Sequence, residues 1–516
     1  ASLGAATAAL VARLLPLRRR CGRCQARPPW PCAMSSWRGG GRTGGKDGAG
    51  WKGQGYGDGW YGGGSKGKWG GAGGKGKQGG GKGGRGEGGG GAGQKPTDDP
   101  DFVQYAEGMR LEGSPLGVSY VVEAYVASGT FSRVFRVRAE PAAPAAAAAD
   151  AGGAEPQRAA KRRWGPGAAA AAPAGSILAA KVMRKHDSYI QYTSDAQKEG
   201  DLLRKIEQAQ TDAGREILTM RCVDSFATKD RAGAEYWCLI LEWLDASLFD
   251  VVRANGDRGL HLSMVRLMLA QLLEQLRVLQ EHECTHTDIK HKNCCLADTE
   301  HFMAPAEPGG RPTLVLTRPT AKLIDYGNAV FEGDQKTHPI HTKQFRAPEV
   351  LLNVSAGWGP PSDTWTLGVT AAFLVSGQLL FNSHDPGELV RRMVEALGPF
   401  PPRLLAEARD GRLRRAAEAA AAAAAEGPQL AALLGLAAAP KGSPEAHCAD
   451  LLRQLLALDP AERMSPQAAL EHPFIVLGLP AVPQQPEAAE LRTLSGAGKG
   501  RGAKGGGRGQ GGKGRF

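Results

Sequence analysis

Four short stretches of this chain hold residues whose types and spacing could do chemistry, and they follow one another along it. Ala127-Ser128-Gly129-Thr130-Phe131-Ser132-Arg133-Val134 lies between two apolar runs. A tight hairpin with so little side-chain bulk can lay backbone N–H groups over phosphates; a plain β-turn is the simpler alternative. Leu178-Ala179-Ala180-Lys181-Val182 sets an ammonium among buried strand positions, where a lysine needs a reason. A solvated strand edge is the alternative there. His286-Thr287-Asp288-Ile289-Lys290-His291-Lys292-Asn293 gathers a carboxylate, an ammonium and a carboxamide within a few residues. Ile324-Asp325-Tyr326-Gly327 adds a second carboxylate beside a glycine. The order of the four carries more information than any one of them.

The elements around them must supply the positioning. Residues 120–137 alternate like a hairpin and predict two strands, and strand character returns over 177–183. Between these lies an Ala/Pro/Gly-rich loop, 141–175, with the basic cluster Lys161-Arg162-Arg163. The spacing of Leu202, Leu203 and Ile206 predicts a helix from about Asp195. A second helix runs from about Ser263, read as its N-cap, to His282. Val265, Leu269, Leu272, Leu273, Leu276 and Leu279 form its apolar stripe, which reads as core. The Ala/Glu/Arg stretch 412–426 reads as an exposed helix or a low-complexity insert.

In this order the stretches resemble the eukaryotic protein kinase superfamily over roughly residues 120–476. His286 to Asn293 is similar to the catalytic loop H-R-D-L-K-x-x-N, and Asp325-Tyr326-Gly327 to Asp-Phe-Gly. Ala347-Pro348-Glu349, Asp363-x-Trp365-x-x-Gly368 and Asp459-Pro460-x-x-Arg463 complete the pattern. The resemblance implies an α+β, two-lobed fold with a small β-rich N-lobe and a large helical C-lobe. It implies ATP and Mg2+ at the lobe junction, and transfer of the γ-phosphate to serine or threonine hydroxyls of proteins. Under it, Asp288 orients the substrate hydroxyl and accepts its proton, while Lys290 neutralises the γ-phosphoryl oxygens. Lys181 contacts the α- and β-phosphates and pairs with Glu199; Asn293 and Asp325 hold Mg2+. Gly129, Ser132 and Val134 belong to the phosphate hairpin, although Ala127 and Ser132 stand where the family has glycine. Leu241 is the gatekeeper, Glu242 and Leu244 offer backbone groups to adenine, and Val134, Ala179 and Leu296 sandwich the ring. Thr342 takes the place of the substrate-loop threonine that bonds the catalytic Asp and Lys. Glu349 and Arg463 form a buried ion pair bracing the large lobe.

Within the superfamily the chain is similar to the CMGC group. Thr287 in place of arginine and the long insert between Asn293 and Asp325 resemble the LAMMER (Clk-type) kinases. The same threonine occurs in SR-protein kinases. Thr342 to Glu349, Gly357-Trp358 and Leu380 to Asp385 fit the LAMMER pattern too. The LAMMER motif itself is poorly matched at 388–398. Phe131-Ser132 and Gly256-x-x-Gly259-Leu260 resemble the pre-mRNA-processing kinase instead. The implied substrates are Arg/Ser-rich splicing proteins or, in the alternative, Ser-Pro proteins.

Composition bounds the rest. The 516 residues include 73 Gly and 33 Pro, too many for one compact fold, and carry a net charge of +12. That charge sits in the tails: residues 34–96 hold eleven Lys/Arg against three acids, and 496–516 hold six and none. With the six arginines of 1–33 also set aside, residues 97–495 are left at about −8. The organisation expected is a presequence or upstream artefact over 1–33, with Met34 opening a new composition, and a disordered Gly-rich segment over 34–110. An N-lobe over 120–244 (insert 140–176) and a C-lobe over 245–478 (inserts 298–320 and 403–445) follow, then a basic tail over 479–516. Residues 34–96 interleave Trp and Tyr with Lys and Arg, and the basic tails read either as RNA-binding segments or as solvated linkers. No apolar run reaches the roughly 18 residues of a membrane span. Nine cysteines without disulfide-like spacing suit a reducing compartment; Cys21-x-x-Cys24 lacks a second pair for zinc. A monomer in the nucleus is the reading for the whole, with an RNA-binding pseudokinase scaffold as the rival.

Overall fold

The computed structural model describes residues 101–494 apart from 105, 130, 142–171, 186–189, 215–216, 231, 306–310, 335, 337–338, 425–426, 478–484 and 486–489. Residues 1–100 (the segment read as presequence and most of the Gly-rich region), most of the loop 141–175 and most of the tail 479–516 lie outside the described residues. Residues 101–110, expected to be disordered, instead hold the buried Phe102 and Val103 and lead into the first strand.

The first elements are strands β1 (Arg110–Leu111), β2 (Val118–Ser128), β3 (Ser132–Pro141) and β4 (Ile177–Lys185). Helix α1 (Ile190–Asp212), β5 (Cys222–Lys229) and β6 (Glu235–Glu242) follow. The strands make one antiparallel sheet in the order β1-β2-β3-β4-β6-β5. Tyr120, Phe135, Val137, Ala180, Val182, Cys238 and Ile240 form a core on it. β2 carries two irregularities against β3, between Val122 and Ala124 and between Tyr125 and Ala127. Such extra residues bend and twist a strand.

After β6 the chain turns helical. β7 (Ala246–Ser247), α2 (Leu248–Ala254) and α3 (Leu262–Glu281) lead into β8 (Cys284–Thr285), β9 (Cys294–Leu296), β10 (His301–Ala304), β11 (Thr313–Leu316), β12 (Ala321–Leu323) and β13 (Val330–Phe331). Then come α4 (Pro348–Leu351), α5 (Pro361–Ser376), α6 (Pro386–Leu397), α7 (Pro402–Glu407), α8 (Gly411–Ala423), α9 (Leu430–Leu433), α10 (Pro444–Leu455), α11 (Pro466–Leu470) and α12 (Pro473–Val476). All six residues of the predicted α3 stripe are buried in the larger core, beside Trp365, Val369 and Phe373 of α5.

Two further sequence expectations need correction. Ser263 is not the cap of α3: the cap is His261, whose ring nitrogen accepts from the Ser263 N–H at 3.3 Å. Ser263 itself is buried within the first turn. The stretch 412–426 is not simply exposed, because α8 buries Leu413 and Ala417 and packs against α6. Its cap is Asp410, which accepts from the N–H groups of Arg412 and Leu413. Within 298–320 lies a hairpin, β10–β11, whose Phe302, Ala304, Leu314, Val315 and Leu316 join the large core. Arg492 exchanges two backbone hydrogen bonds with His301 at 2.8 and 2.9 Å, so the end of the described chain pairs with that hairpin.

The stripe reading of α3 also missed two glutamines with a positioning task. Gln271 accepts from the Ala321 N–H (2.7 Å) and donates to the Pro319 carbonyl (3.0 Å). One turn on, Gln275 accepts from the Leu323 N–H (2.9 Å) and donates to the Ala321 carbonyl (2.8 Å). Both side chains are buried. Together they satisfy the backbone of β12, the strand that delivers Asp325.

Candidate active site

Lys181 sits mid-strand in β4, where the residues on either side, Ala180 and Val182, are buried in the sheet core. Its Nζ lies 2.8 Å from Glu199 Oε2 of α1 and 2.8 Å from Asp325 Oδ1. Burial disfavours the ammonium, yet Asp325 and Glu199 outweigh it and hold the group above the ordinary lysine value. The nearby Lys181 charge in turn holds the Asp325 carboxyl down at about 2. Burial pushes Glu199 up against the pull of Lys181. Glu199 also accepts the Tyr326 N–H at 3.1 Å, which ties α1 to the Asp325 turn. Asp325 is left-handed, with φ of 67°, a conformation that side chains rarely adopt. Neighbouring bonds hold it there: the Ile324 N–H donates to the Asn293 carbonyl (2.9 Å), and the His286 ring donates to the Ile324 carbonyl (3.1 Å).

The second cluster is built on the loop after β8. Asp363, at the start of α5, accepts the backbone N–H groups of His286 (2.5 Å) and Thr287 (3.0 Å). Thr287 has φ of 69°, and its hydroxyl donates to the Asn328 carbonyl at 2.8 Å. Thus anchored, the loop presents Asp288. Lys290 Nζ lies 2.6 Å from Asp288 Oδ2 and donates to Thr342 Oγ1 at 2.9 Å. The Thr342 hydroxyl donates to Asp288 Oδ1 at 2.9 Å. The Asn293 amide nitrogen donates to the Asp288 carbonyl (2.9 Å) and to Oδ2 (3.1 Å). Its amide oxygen is thereby left as the atom able to meet a cation. The structure brings Asp288, Lys290, Asn293 and Thr342 into one hydrogen-bonded group, and Lys181, Glu199 and Asp325 into another.

The remaining candidates lie on the sheet, on the stretch just after β6 and on β9. Val134 pairs with Lys181, and Ala179 with Leu241, in the sheet register. Leu296 on β9 is fully buried. The Glu242 side chain is taken up by Lys322 (2.7 Å) and the Arg221 N–H (2.8 Å), so any ligand would meet its backbone. Leu244, just beyond, packs against the large core. Gly129 donates its N–H to the Ser132 carbonyl at 2.8 Å, and Ser132 is buried. A Cβ at Gly129 would meet nothing closer than that carbonyl oxygen, at 3.7 Å. The hairpin's own packing therefore does not demand glycine here.

Sequence reasoning missed three contributors. Lys322 has the same signature as Lys181, a lysine between buried strand residues, but it is a structural partner of Glu242. Asp363 entered only as part of a motif, yet it sets the backbone of the Asp288 loop. His341 carried no signal: it sits beside Thr342, donates its N–H to the Thr287 carbonyl (3.1 Å), and accepts the Ala347 N–H on its ring (3.4 Å). At the far end of the segment, Arg463 grips Glu349 through two bonds of 2.8 and 3.0 Å, with both side chains buried.

Comparison with known proteins agrees with this geometry. Residues 168–475 match the model of the protein kinase domain. The serine/threonine-protein kinase AFC1 of Arabidopsis thaliana is 31% identical over 323 residues, covering 58% of this chain and 65% of that protein. The human dual specificity protein kinase CLK1 is 26% identical over 307 residues, covering 59% of this chain and 61% of its own length. The alignment thus spans just under two thirds of each of these two relatives. A crystallised kinase domain superposes with a TM-score of 0.54 at 24% identity, covering 73% of this chain and 100% of that domain, a likeness of fold. With more than half of its length matched and these two clusters facing the sheet–helix junction, the chain belongs to the protein kinase family, among whose members it is similar to the LAMMER-type AFC and CLK kinases.

Proposed function

We propose that the protein transfers the γ-phosphate of ATP to serine or threonine hydroxyls of other proteins. The observation that carries this reading is the joined group Asp288–Lys290–Asn293–Thr342 in the same site as Lys181–Glu199–Asp325. Asp288, held by three neighbours, takes the proton of the incoming hydroxyl as its oxygen bonds to the γ-phosphorus and the bond to the β–γ bridging oxygen breaks. Lys290 steadies the oxygens being transferred, and Thr342 fixes the angle at which Asp288 meets the hydroxyl. Lys181, aimed by Glu199, grips the α- and β-phosphates. Gly129 leaves room for phosphates to approach the hairpin backbone, and Glu242 and Leu244 meet the adenine edge through their backbones.

A divalent cation suits the donor set. Asp325 offers an ionised carboxylate and Asn293 an amide oxygen, both hard ligands. Among the described residues no group of three or more His, Cys, Asp or Glu forms a metal cage. That matches Mg2+, which is commonly bound through one or two protein ligands plus phosphates. When bound, Mg2+ would neutralise charge on the β- and γ-phosphoryl oxygens.

The named activities of these relatives, serine/threonine and dual specificity kinase, support this class of reaction. For substrates, the acidic balance of residues 97–495 favours basic proteins, and the LAMMER likeness points to Arg/Ser-rich splicing factors. The Gly/Lys/Arg tails would hold RNA through phosphate contacts and base stacking. Nuclear residence, as a monomer, completes the reading. Purified full-length protein with ATP and Mg2+ on an array of Arg/Ser-repeat and Ser-Pro peptides tests it. Faster transfer to Arg/Ser peptides is expected. Faster transfer to Ser-Pro peptides would favour a pre-mRNA-processing type, and no transfer to any peptide would overturn the enzyme reading in favour of a binding scaffold.

A further inference from the structure

Ahead of the sheet, residues 101–104 run across the ends of the strands that carry Lys181 and the phosphate hairpin. Phe102 is buried, and its ring meets two guanidinium groups: Arg184 lies 4.4 Å and Arg133 4.7 Å from the ring centre. Arg133, the second residue of β3, is only 1% exposed and donates to the Val103 carbonyl at 2.9 Å. The Lys185 N–H, at the end of β4, donates to the Asp101 carbonyl at 2.9 Å. Val103 is buried in the smaller core. The two arginines belong to the chemistry by position. Arg133 directly precedes Val134, and Arg184 follows Lys181 by three residues. The Arg184 N–H also donates to the carbonyl of Phe131, near the hairpin tip, at 3.0 Å.

We propose that residues 101–104 form a strap that sets the nucleotide-binding geometry of the β3–β4 pair, with Phe102 as its positioning residue. The proposal rests on the ATP reading given above. Phe102 reaches the site through Arg133 and Arg184. Both cations are attracted to the ring through its quadrupole, and the contact to buried Arg133 gains strength from the exclusion of water. The strap thus couples the exit of the hairpin, through Arg133, to the strand holding Lys181, through Arg184. Ala127 and Ser132 replace two glycines of the usual loop, so support from outside the hairpin would have to hold the ends of a stiffer turn.

The test uses full-length protein and three variants: Phe102→Leu, which keeps apolar bulk but loses the ring; Phe102→Trp, which keeps a ring; and Arg184→Gln. The readouts are the Kd for a fluorescent adenine nucleotide, the KM for ATP, kcat and Tm. Phe102→Leu should raise both Kd and KM for ATP about fivefold, roughly 1 kcal/mol, with kcat within about twofold of the parent. That split marks lost ground-state binding and is not what general loosening of the domain would give. Phe102→Trp should stay near the parent. Arg184→Gln should resemble Phe102→Leu, and the double variant should be no worse than the weaker-binding single one. Unchanged nucleotide affinity in Phe102→Leu, beside a parent that binds, overturns the strap and leaves the kinase reading standing. A parent that binds no nucleotide overturns both. If Phe102→Leu fails to fold, the Kd of Arg184→Gln decides in its place.

Discussion

At the scale of single residues, Lys181 stands between two carboxylates at equal distance, one buried and one half open to solvent. Replacing it with methionine should cost several decades in kcat, since its phosphate contact is electrostatic and lies in a water-poor site. The same change strands Glu199, whose side chain is 2% exposed, beside Asp325. Breaking a buried pair in this way costs about 3–5 kcal/mol. Glu199 is already pushed up by burial, so the damage should grow with pH as the native state is forced to hold an anion. Adding Glu199→Gln to Lys181→Met should recover Tm but not activity; a Tm unaffected by either change would refute the assignment. His341 poses the opposite problem. Burial first, then Arg346 and Arg463, hold its pKa well below the usual imidazole value. Asp363, 3.9 Å away, is pushed up to about 7 by burial. The unfolded imidazole gains a proton below about pH 6.5 while the native one does not, so His341 costs stability as pH falls through that value. Asp363 works in the other sense, favouring the native state below about pH 7. His341→Gln should therefore gain Tm relative to the parent between pH 7 and 5.5, read by thermal scans at each pH. A constant difference would show that His341 keeps an ordinary pKa.

At the scale of elements, the segment from Asp325 to Glu349 is tied to the catalytic loop and to itself by direct hydrogen bonds. Thr287 bonds the Asn328 carbonyl, His341 bonds the Thr287 carbonyl, and Arg346 donates to the carbonyls of Ile340 (3.0 Å) and His341 (2.9 Å). In many kinases an arginine at the Thr287 position helps to receive a phosphorylated loop residue. Here that position is uncharged, and Pro339, where related kinases place a phosphotyrosine, cannot be phosphorylated. Thr337 lies outside the described residues, and Thr342 is engaged by Asp288 and Lys290. Enzyme made in bacteria and treated with phosphatase should keep its rate. A fall of more than about tenfold, near 1.4 kcal/mol of transition-state stabilisation, that rephosphorylating Thr337 restores would overturn this.

At the scale of the molecule, catalysis and charge separate along the chain. The described domain is bounded by the strap at 101–104 and by the pairing of Arg492 with His301, so a truncation that spares the domain must keep both ends. A protein of residues 101–494 should phosphorylate a basic peptide about as fast as the full chain. It should lose any salt-sensitive retention on RNA that the full chain shows, because the Lys and Arg of the tails go with the removed segments. Equal retention of the two proteins on an RNA column at low salt would place any RNA contact on the domain instead.

Local chemistry was legible in the residues themselves. Asp288, Lys290 and Asn293 share one loop, and the stripe of α3 has helical period, because both depend on neighbours within a few positions. The family likeness supplied the long-range pairs Lys181–Glu199 and Glu349–Arg463, each now seen as a contact. Other features lie in no local pattern. Gln271 and Gln275 look like ordinary polar positions until β12 lies across them. Lys322 is indistinguishable from Lys181 until Glu242 faces it. Phe102 reads as a stray aromatic in a polar stretch until two arginines from β3 and β4 close on its ring. In each case the partner comes from a distant part of the chain, and burial makes that partner obligatory, since an unpaired polar group away from water is costly. Which residues could react was thus a property of the sequence, while which of them are held, aimed or merely neutralised was decided only when the chain folded and excluded water around them.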